Sequence, residues 1–256
     1  IPVPELPLGE GTLSGRIKDE MGKFNLNSLV HEEGIVGREE LMVTEEKADH
    51  LKQLFHLLDI PESDASAMVD SIVDWIDTKS GIESDGAEES YYRTLDLPYS
   101  PPDDRISTLE EILFIKGISP AIYQKISPYI TVYPKEPSEP SGAPGLLVYK
   151  INVNTAEKVV LQSIKTGSET YMGEADAEKI IESRPYKDKA AIDQIINDLP
   201  ISDTDEKKVK DQLSVTSHIF SIEAYGNVRG TQKNIRAIWD RQAKDKHKQL
   251  LYLKVE

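Results

Sequence analysis

Acidic side chains are concentrated around the stretch "DWIDTKSGIESDGAEESYY", which begins at Asp74. Helical spacing would place Asp70, Asp74 and Asp77 on one face of a helix, opposite its apolar residues. Like charges at this spacing cost about 0.2–0.5 kcal/mol per pair, and the loop that follows adds Asp85 and Glu88. Calcium binds roughly six to eight oxygen ligands and accepts irregular loops, so these residue types suit a calcium site. The same pattern also fits a solvated helix end, and spacing alone leaves both interpretations open.

Helices must position these carboxylates, and the sequence predicts a helical region from Thr44 to about Leu213. Thr44 is predicted to cap a first helix whose apolar residues follow i, i+3, i+4, i+7 spacing. Asp64 is predicted to open the second helix, which carries Asp74 and Asp77. The carboxylates are therefore expected near the C-terminal end of a helix, where the helix dipole disfavours negative charge.

Capping residues and a Pro-rich stretch divide the rest of the helical region. Ser107 with Glu110 forms a predicted capping box, and Ser119 precedes a proline at another predicted helix start. Beyond the Pro-rich linker, Asn154 with Glu157 is predicted to cap a further helix. The linker separates two predicted lobes, each of which resembles a helix–hairpin–helix or SAM-like unit.

Strand-like alternation flanks the helical region on both sides. The C-terminal stretches "HIFSIEAYGNV", "NIRAIWDR" and "QLLYLKVE" alternate apolar and polar residues, which predicts an antiparallel meander. A strand around Ile17 is expected to join that sheet, so the predicted fold class is α+β with a large all-α insertion. The predicted segments are 1–43 (strand and loop part of the β domain), 44–135 (first helical lobe with the acidic loop), 136–147 (Pro-rich linker), 148–214 (second helical lobe) and 215–256 (C-terminal strands of the β domain).

The charge balance argues against a nucleic-acid partner, although a helix–hairpin–helix module of the DNA-uptake or repair type is the alternative function. The formal net charge is −15, whereas nucleic-acid affinity comes largely from Lys and Arg that displace counterions. The first hairpin has Ser119 where the DNA-binding motif has a second Gly, and the second hairpin carries Glu169, Glu174 and Asp176. These acids would repel a phosphate at a helix N-terminus, so no nucleic-acid partner is predicted.

The sequence contains no recognisable catalytic constellation, so a non-enzymatic protein is predicted. The chain has no cysteine, no Gly-x-Ser-x-Gly motif and no Gly-rich phosphate loop. Its five histidines are scattered, and "HEEG" at His31 differs from the His-Glu-x-x-His zinc pattern. No apolar run in the sequence approaches the roughly 20 residues that a membrane-spanning helix needs.

The order of several short motifs resembles the K-type minor pseudopilin family of bacterial type II secretion (GspK). The matching pieces are "DEMGKFNLNSL", "DWID" followed by "GAEESYY", "TLEEILFIKGIS", "INVNTA", "AEKIIESRPY" and "RAIWDR". They occur in the family's order between residues 14 and 241. The acidic loop, combined with the N-terminal "GKFNLN" strand, is the most specific part of the resemblance.

This resemblance implies a pseudopilin fold, in which a long N-terminal helix packs on an antiparallel sheet that carries a large helical insertion. The anchor helix is expected to be truncated here and, in the full-length protein, to hold a periplasmic domain at the inner membrane. The implied function is to form the tip of the secretion pseudopilus and support export of folded proteins across the outer membrane. The implied partners are the minor pseudopilins I, J and H. A calcium-stabilised adhesin-like surface protein is a third interpretation.

The resemblance also implies calcium binding in the acidic region. The expected ligands are Asp74, Asp77, Asp85, Glu88 and Asp104. Asp85 and Asp104 are additions from proximity and loop chemistry, whereas the other three match the family motif by position. Family members often carry an acidic residue where this chain has Lys79, so either one or two ions are expected.

Overall fold

The computed structural model describes residues 1–35, 38–78, 85–135, 149–188, 190–243 and 249–256. Within those residues, no helix is both long and apolar enough to cross a membrane. The chain forms two compact units. Residues Ile1–Met21 and Thr216–Glu256 form the first, called the sheet unit, and Gly22–Val215 form the second, called the helical unit.

The elements are numbered along the chain. The strands are β1 (Pro2–Leu8), β2 (Gly11–Asp19), β3 (Phe24–Asn25), β4 (Val30–Ile35), β5 (Arg38–Val43), β6 (Ile130–Thr131), β7 (Ile151–Asn152), β8 (Leu213–Ser214), β9 (Ile219–Val228), β10 (Thr231–Asp240) and β11 (Leu250–Val255). The α-helices are α1 (Glu45–Leu57), α2 (Glu62–Ile76), α3 (Glu89–Tyr92), α4 (Pro120–Ile126), α5 (Lys158–Gln162), α6 (Glu174–Glu182), α7 (Ala190–Asn197) and α8 (Asp203–Gln212). Short 3-10 helices span Leu26–Leu29 and Leu109–Phe114.

The sheet unit is built on a five-stranded antiparallel sheet with the strand order β1–β2–β9–β10–β11. Strands β2, β9, β10 and β11 are those that the alternating pattern predicts, so the predicted α+β fold class is confirmed. Ile17 of β2 and Ala237 of β10 lie opposite Ile222 of β9. Because successive residues point to opposite faces of a sheet, these positions share one apolar face, and neighbours such as Ser221 lie on the other.

The core of the helical unit lies between the apolar faces of α1 and α2. Leu51, Leu54 and Phe55 of α1 are fully buried, as are Val69 and Ile72 of α2. Complete burial of a side chain of this size stabilises the fold by about 1.5–3 kcal/mol. The predicted apolar spacing on both helices is therefore what joins them.

Helix starts follow the sequence signals at several positions. Thr44 is the N-cap residue of α1, as predicted, but its hydroxyl makes no capping hydrogen bond and instead lies 3.1 Å from Nδ1 of His31. Ser119 precedes α4, also as predicted, and its hydroxyl accepts a hydrogen bond from the backbone N–H of Ile122 (3.2 Å). Helix α2 begins at Glu62, two residues before the predicted Asp64, because it follows a proline whose ring fixes φ.

The predicted capping box at Ser107 and Glu110 is wrong. Thr108 is the N-cap residue, and the helix that follows is a 3-10 helix. The neighbouring Glu111 takes the place expected for Glu110, because its side chain accepts a hydrogen bond from the Ser107 backbone N–H (3.0 Å). The indole N–H of Trp75 donates to the other Glu111 oxygen (3.0 Å), which holds this side chain against α2.

The predicted cap at Asn154 is also wrong, since Glu157 is the N-cap residue of α5. Asn154 instead joins distant segments of the helical unit. Its side-chain amide donates to the carbonyl oxygens of Tyr186 and Val215 (both 2.9 Å), and its Oδ1 accepts from the Tyr186 backbone N–H (2.7 Å). An Asn that serves non-local backbone groups carries no signal in the sequence around it.

The boundary of the sheet unit differs from the predicted one, because residues 22–43 lie in the helical unit. Strand β3 pairs in parallel with β6 rather than with the large sheet. The buried Asn27 side chain donates to the carbonyl oxygens of Ile106 and Val132 (both 2.9 Å) and accepts from the Ile106 backbone N–H (2.8 Å). The predicted linker lies outside the described residues, and the division of the helices into two lobes stays a prediction.

Candidate functional sites: the acidic loop and the apolar sheet face

Helix α2 positions two of the expected ligands at its C-terminal end. Asp74 and Asp77 are both buried, with 0% and 1% of their surfaces exposed. The solvated helix end, one of the two interpretations that the spacing leaves open, therefore does not apply to these two residues. Strand β5 contacts the residue directly after Asp77: the Leu41 backbone N–H donates to the Thr78 hydroxyl (3.1 Å), and the Leu41 carbonyl accepts from the Thr78 backbone N–H (3.3 Å).

The loop that contains Asp85 closes on α2 from another side. An added Cβ at Gly86 would lie 1.8 Å from Oδ2 of Asp74, so only glycine permits this close approach. The Asp85 backbone N–H reaches an Asp70 carboxylate oxygen at 3.4 Å. The Lys116 ammonium donates to the carbonyl oxygens of Asp85 and Gly86 (3.1 and 3.0 Å) and so fixes the loop backbone.

Glu88 follows this loop and is the N-cap residue of α3. Its Oε1 is buried and has no hydrogen-bond partner among the described residues. Burial, together with the negative charges of Asp74 and Asp103, raises the pKa of Glu88 above its usual value. A carboxylate oxygen without a partner, close to other acids, is the kind of group that a cation would stabilise.

The Pro-bounded loop brings Asp103, rather than the predicted Asp104, into the electrostatic environment of Glu88. Asp103 has a left-handed backbone conformation (φ 50°), and burial raises its pKa. Asp104 instead forms an ion pair with Lys135 (2.9 Å) and accepts a hydrogen bond from the Arg105 backbone N–H (2.7 Å). Burial raises the pKa of Asp104, but these contacts outweigh it, so that its pKa is lowered.

The acidic residues fit a cation only in part. Among the described residues, no three His, Asp or Glu side chains converge closely enough to hold a metal ion by themselves. Lys79 and the rest of residues 79–84, which connect Asp77 to Asp85, lie outside the described part of the chain. The observation that fits an ion is the partnerless, buried Glu88 oxygen beside the buried Asp74, because burial of like charges costs several kcal/mol unless something neutralises them.

An aromatic cluster packs beside the acidic loop. Trp75 meets Tyr92 edge-to-face at 5.3 Å between ring centroids, and Tyr99 lies 5.2 Å from Tyr92. Trp75 and Tyr92 are buried, whereas Tyr91 is 38% exposed and has the Lys116 ammonium over its ring. Trp75 and Tyr92 are therefore core residues, and aromatic pairs of this kind add about 0.5–1.5 kcal/mol each.

A second candidate site is the apolar face of the large sheet. Side chains on this face remain open to solvent: Leu6 is 48% exposed, Ile235 40%, Leu253 54% and Val255 60%. The strand register places Leu253 opposite Ala237, and Val255 opposite Ile235. Exposed apolar side chains that lie together on one face are typical of a site for a protein or membrane partner.

Comparison with known proteins connects these features to one family. Two family models described as "Type II secretion system (T2SS), protein K" match the chain, one over residues 22–135 and the other over residues 151–216. Together the matches cover more than half of the chain and follow the extent of the helical unit closely.

Individual relatives agree with these matches. A type II secretion system protein K of Aeromonas hydrophila is 26% identical over 92% of this chain and 68% of its own length. A protein of the same description from Pectobacterium carotovorum is 24% identical over 73% of this chain, which spans only 53% of that relative. In the crystal structure of the GspK–GspI–GspJ complex from enterotoxigenic Escherichia coli, one chain has the same fold (TM-score 0.73, 20% identity, 99% of this chain and 81% of that chain covered).

Proposed function

Because the chain belongs to the type II secretion system protein K family, we propose that it is a minor pseudopilin. Its role is structural rather than enzymatic: it supports the export of folded proteins across the outer membrane by taking part in a periplasmic pseudopilus. The observation that carries this proposal is that the family matches cover most of the helical unit while the sheet unit supplies a pseudopilin-type sheet.

The size of the helical unit favours a position at the tip of the pseudopilus. Residues Gly22–Val215 are inserted between strands β2 and β9, which are direct neighbours in the sheet. A subunit that carries so large an insertion would be hard to stack on both sides within a tight helical fibre. At the end of the fibre, only one side has to be free for contact with other subunits.

The proposed partners are the minor pseudopilins I, J and H of the same secretion system. Support comes from the structure of similar fold, which is that of a complex of GspK with GspI and GspJ. Ile235 and Leu253 are exposed on the apolar sheet face, which is a surface on which an apolar helix could pack. We propose that an N-terminal helix of the full-length protein lies on this face and anchors the protein in the inner membrane, with both units in the periplasm.

A calcium ion in the acidic region is a further part of this proposal. Asp74, Asp77 and Glu88 would supply only part of its oxygen ligands, with Asp103 contributing negative charge nearby. The ion would neutralise the buried Asp74 and the partnerless Glu88 oxygen beside it, and so join the loop after α2 to the helix itself. Whether one or two ions bind depends on residues 79–84 as well.

Complex formation with I and J tests the assembly role directly. The chain and the soluble domains of I and J from the same system are mixed and analysed by size-exclusion chromatography with light scattering. The proposal predicts a single species with the mass of a 1:1:1 complex. Three separate monomeric peaks at micromolar concentration would contradict it.

A further inference from the structure

The two edges of the large sheet differ in their ability to pair with another strand. Strand β1 forms one edge and contains three prolines, Pro2, Pro4 and Pro7. Strand β11 forms the other edge and contains none. Proline lacks a backbone N–H, and prolines on edge strands are a common protection against unwanted strand pairing. The β1 edge is thus protected, whereas no strand within the described ranges pairs with the outer edge of β11.

Hydrogen-bond alternation identifies the backbone groups that point outward from β11. Asn234 and Glu256 exchange both backbone hydrogen bonds (2.9 and 2.8 Å). In an antiparallel pair, hydrogen-bonded and non-hydrogen-bonded residue pairs alternate. Val255, opposite Ile235, and Leu253, opposite Ala237, therefore occupy non-hydrogen-bonded positions. Their N–H and C=O groups point away from β10, toward the free edge.

At the β1 edge, the alternation of hydrogen bonds places a proline in an outward-pointing position. Ile1 and Ile17 exchange both backbone hydrogen bonds (2.6 and 2.8 Å). Pro2, opposite Arg16, then occupies an outward-pointing position, where a missing N–H costs the sheet nothing. Any other residue at position 2 would present its backbone N–H to an approaching strand, and proline has none.

The outward-pointing residues of β11 also carry exposed apolar side chains. Leu253 is 54% exposed and Val255 is 60% exposed. Residues that lie directly opposite each other on paired strands share one face of the sheet. A strand added beside β11 would therefore place its own alternate side chains next to Leu253 and Val255, on the apolar face. The edge thus selects an extended strand with apolar residues at every second position.

We propose that the outer edge of β11 is the docking surface for such a strand, supplied by minor pseudopilin I or J. The identity of the partner rests on the proposed function, whereas the surface rests on the geometry of β11. Backbone hydrogen bonds to Leu253 and Val255 give affinity, and the apolar side chains give register. A helix on the apolar face would cover side chains but would leave these outward backbone groups free.

A second copy of this chain fits the edge less well than a different subunit. Each copy carries a formal net charge of −15, so two copies repel each other as they approach. A subunit of smaller or opposite net charge meets no such barrier. The edge strand is accordingly assigned to a heterotypic contact.

The test uses the chain with the soluble domains of I and J, and reads amide hydrogen exchange of Leu253 and Val255. Both amides are expected to exchange rapidly in the free chain and to be slowed at least about tenfold in the complex, because hydrogen-bonded amides exchange only on opening. A complex in which both amides still exchange rapidly would overturn the proposed surface. Absence of any complex would instead overturn the proposed function and, with it, the identity of the partner.

A variant pair gives an independent readout. Leu253→Pro removes one outward N–H and leaves the β10 ladder intact, so its melting temperature should match that of the parent chain. Its affinity for I and J should fall about tenfold or more, as loss of edge hydrogen bonds and register predicts. Pro7→Ala at the opposite edge is the matched control and should bind as the parent does. Equal binding of Leu253→Pro and Pro7→Ala, or a stable homodimer that competes with I and J, would refute the assignment.

Discussion

The acidic loop holds the side chain of Glu88 in an environment that disfavours its charge. Its buried Oε1 has no hydrogen-bond partner among the described residues, and Asp74 and Asp103 add negative charge nearby. The pKa of Glu88 is raised by burial first and by these charges second. The fold therefore loses stability by keeping this carboxylate charged, and a bound cation would offset that loss.

Calcium is therefore predicted to stabilise the protein through these carboxylates. After chelation, calcium at a hundredfold excess over its dissociation constant should add about 2.7 kcal/mol to the free energy of unfolding. Thermal unfolding with calcium and magnesium added back separately measures the effect. Glu88→Gln and Asp77→Asn should each abolish most of the calcium-dependent rise in melting temperature.

The matched control for this experiment is Asp104→Asn. Asp104 is half exposed and pairs with Lys135, so its loss should leave the calcium response intact. In chelated protein, Glu88→Gln should be at least as stable as the parent, because a neutral amide replaces a carboxylate that the site disfavours. An equal calcium response in all three variants would show that the ion, if bound, lies elsewhere.

The sequence predicts the acidic site only as far as local patterns reach. Helical periodicity places Asp74 and Asp77 on α2, and the family motif places Glu88 in the loop. The choice between Asp103 and Asp104 does not, because adjacent residues in an irregular loop differ by backbone conformation rather than by residue type. Burial of Asp74 has no signal in the sequence for a related reason: it depends on the close approach of Gly86.

At the scale of elements, His50 lies where α1 meets other parts of the helical unit. Its ring is 1% exposed, and it packs edge-on against Phe24 at 4.7 Å between ring centroids. Neither ring nitrogen has a hydrogen-bond partner within the described part of the chain, although the Gln212 side chain and the Val160 backbone face the ring. Burial, followed by the charge of Lys47, lowers the pKa of His50 well below its usual value.

Because His50 is buried with a lowered pKa, we expect the folded protein to lose stability in acid. Because the pKa of His50 is lower in the folded chain than the 6.5 of an unperturbed histidine, the unfolded state binds more protons as the pH falls below about 6.5. The stabilising contribution is present above that pH and is lost progressively toward the pKa of the folded state. The melting temperature should fall over this range in the parent chain.

Substitution of His50 isolates this contribution. His50→Leu should flatten the decline in melting temperature just below pH 6.5, since leucine cannot be protonated. His56→Leu is the control, because His56 lies on the same helix with its side chain exposed. If both variants retain the pH dependence of the parent, the acid sensitivity arises from carboxylates and not from His50.

Element prediction from the sequence was good where periodicity is strong. Strands β2, β9, β10 and β11 and helices α1 and α2 all follow regular apolar spacing. The sequence does not predict strand β1, because its three prolines disfavour a strand in the interior of a sheet. At the edge of a sheet, prolines are tolerated. Hairpin β4–β5 is not predicted because its consecutive acids show no clear alternation, and its place is fixed by contacts with Thr78 and with Arg105.

At the scale of the whole molecule, the insertion of a helical unit into a sheet is what the sequence predicts best. Strand signals at both ends and helix signals between them require that architecture. The extent of the insertion was harder to predict, because residues 22–43 include short strands whose partners are not in the large sheet. Pairing of two-residue strands depends on the finished fold, and no local pattern encodes it.

The position of the protein on the pseudopilus tests the proposed tip role. The chain has no cysteine, so a single cysteine introduced at Leu97, which is 83% exposed, allows specific gold labelling. Electron microscopy of pseudopili assembled with this variant should show the label at one end of each fibre. Label distributed along the fibre shaft would contradict the tip position, since subunits with this large insertion would then be stacked on both sides within the shaft.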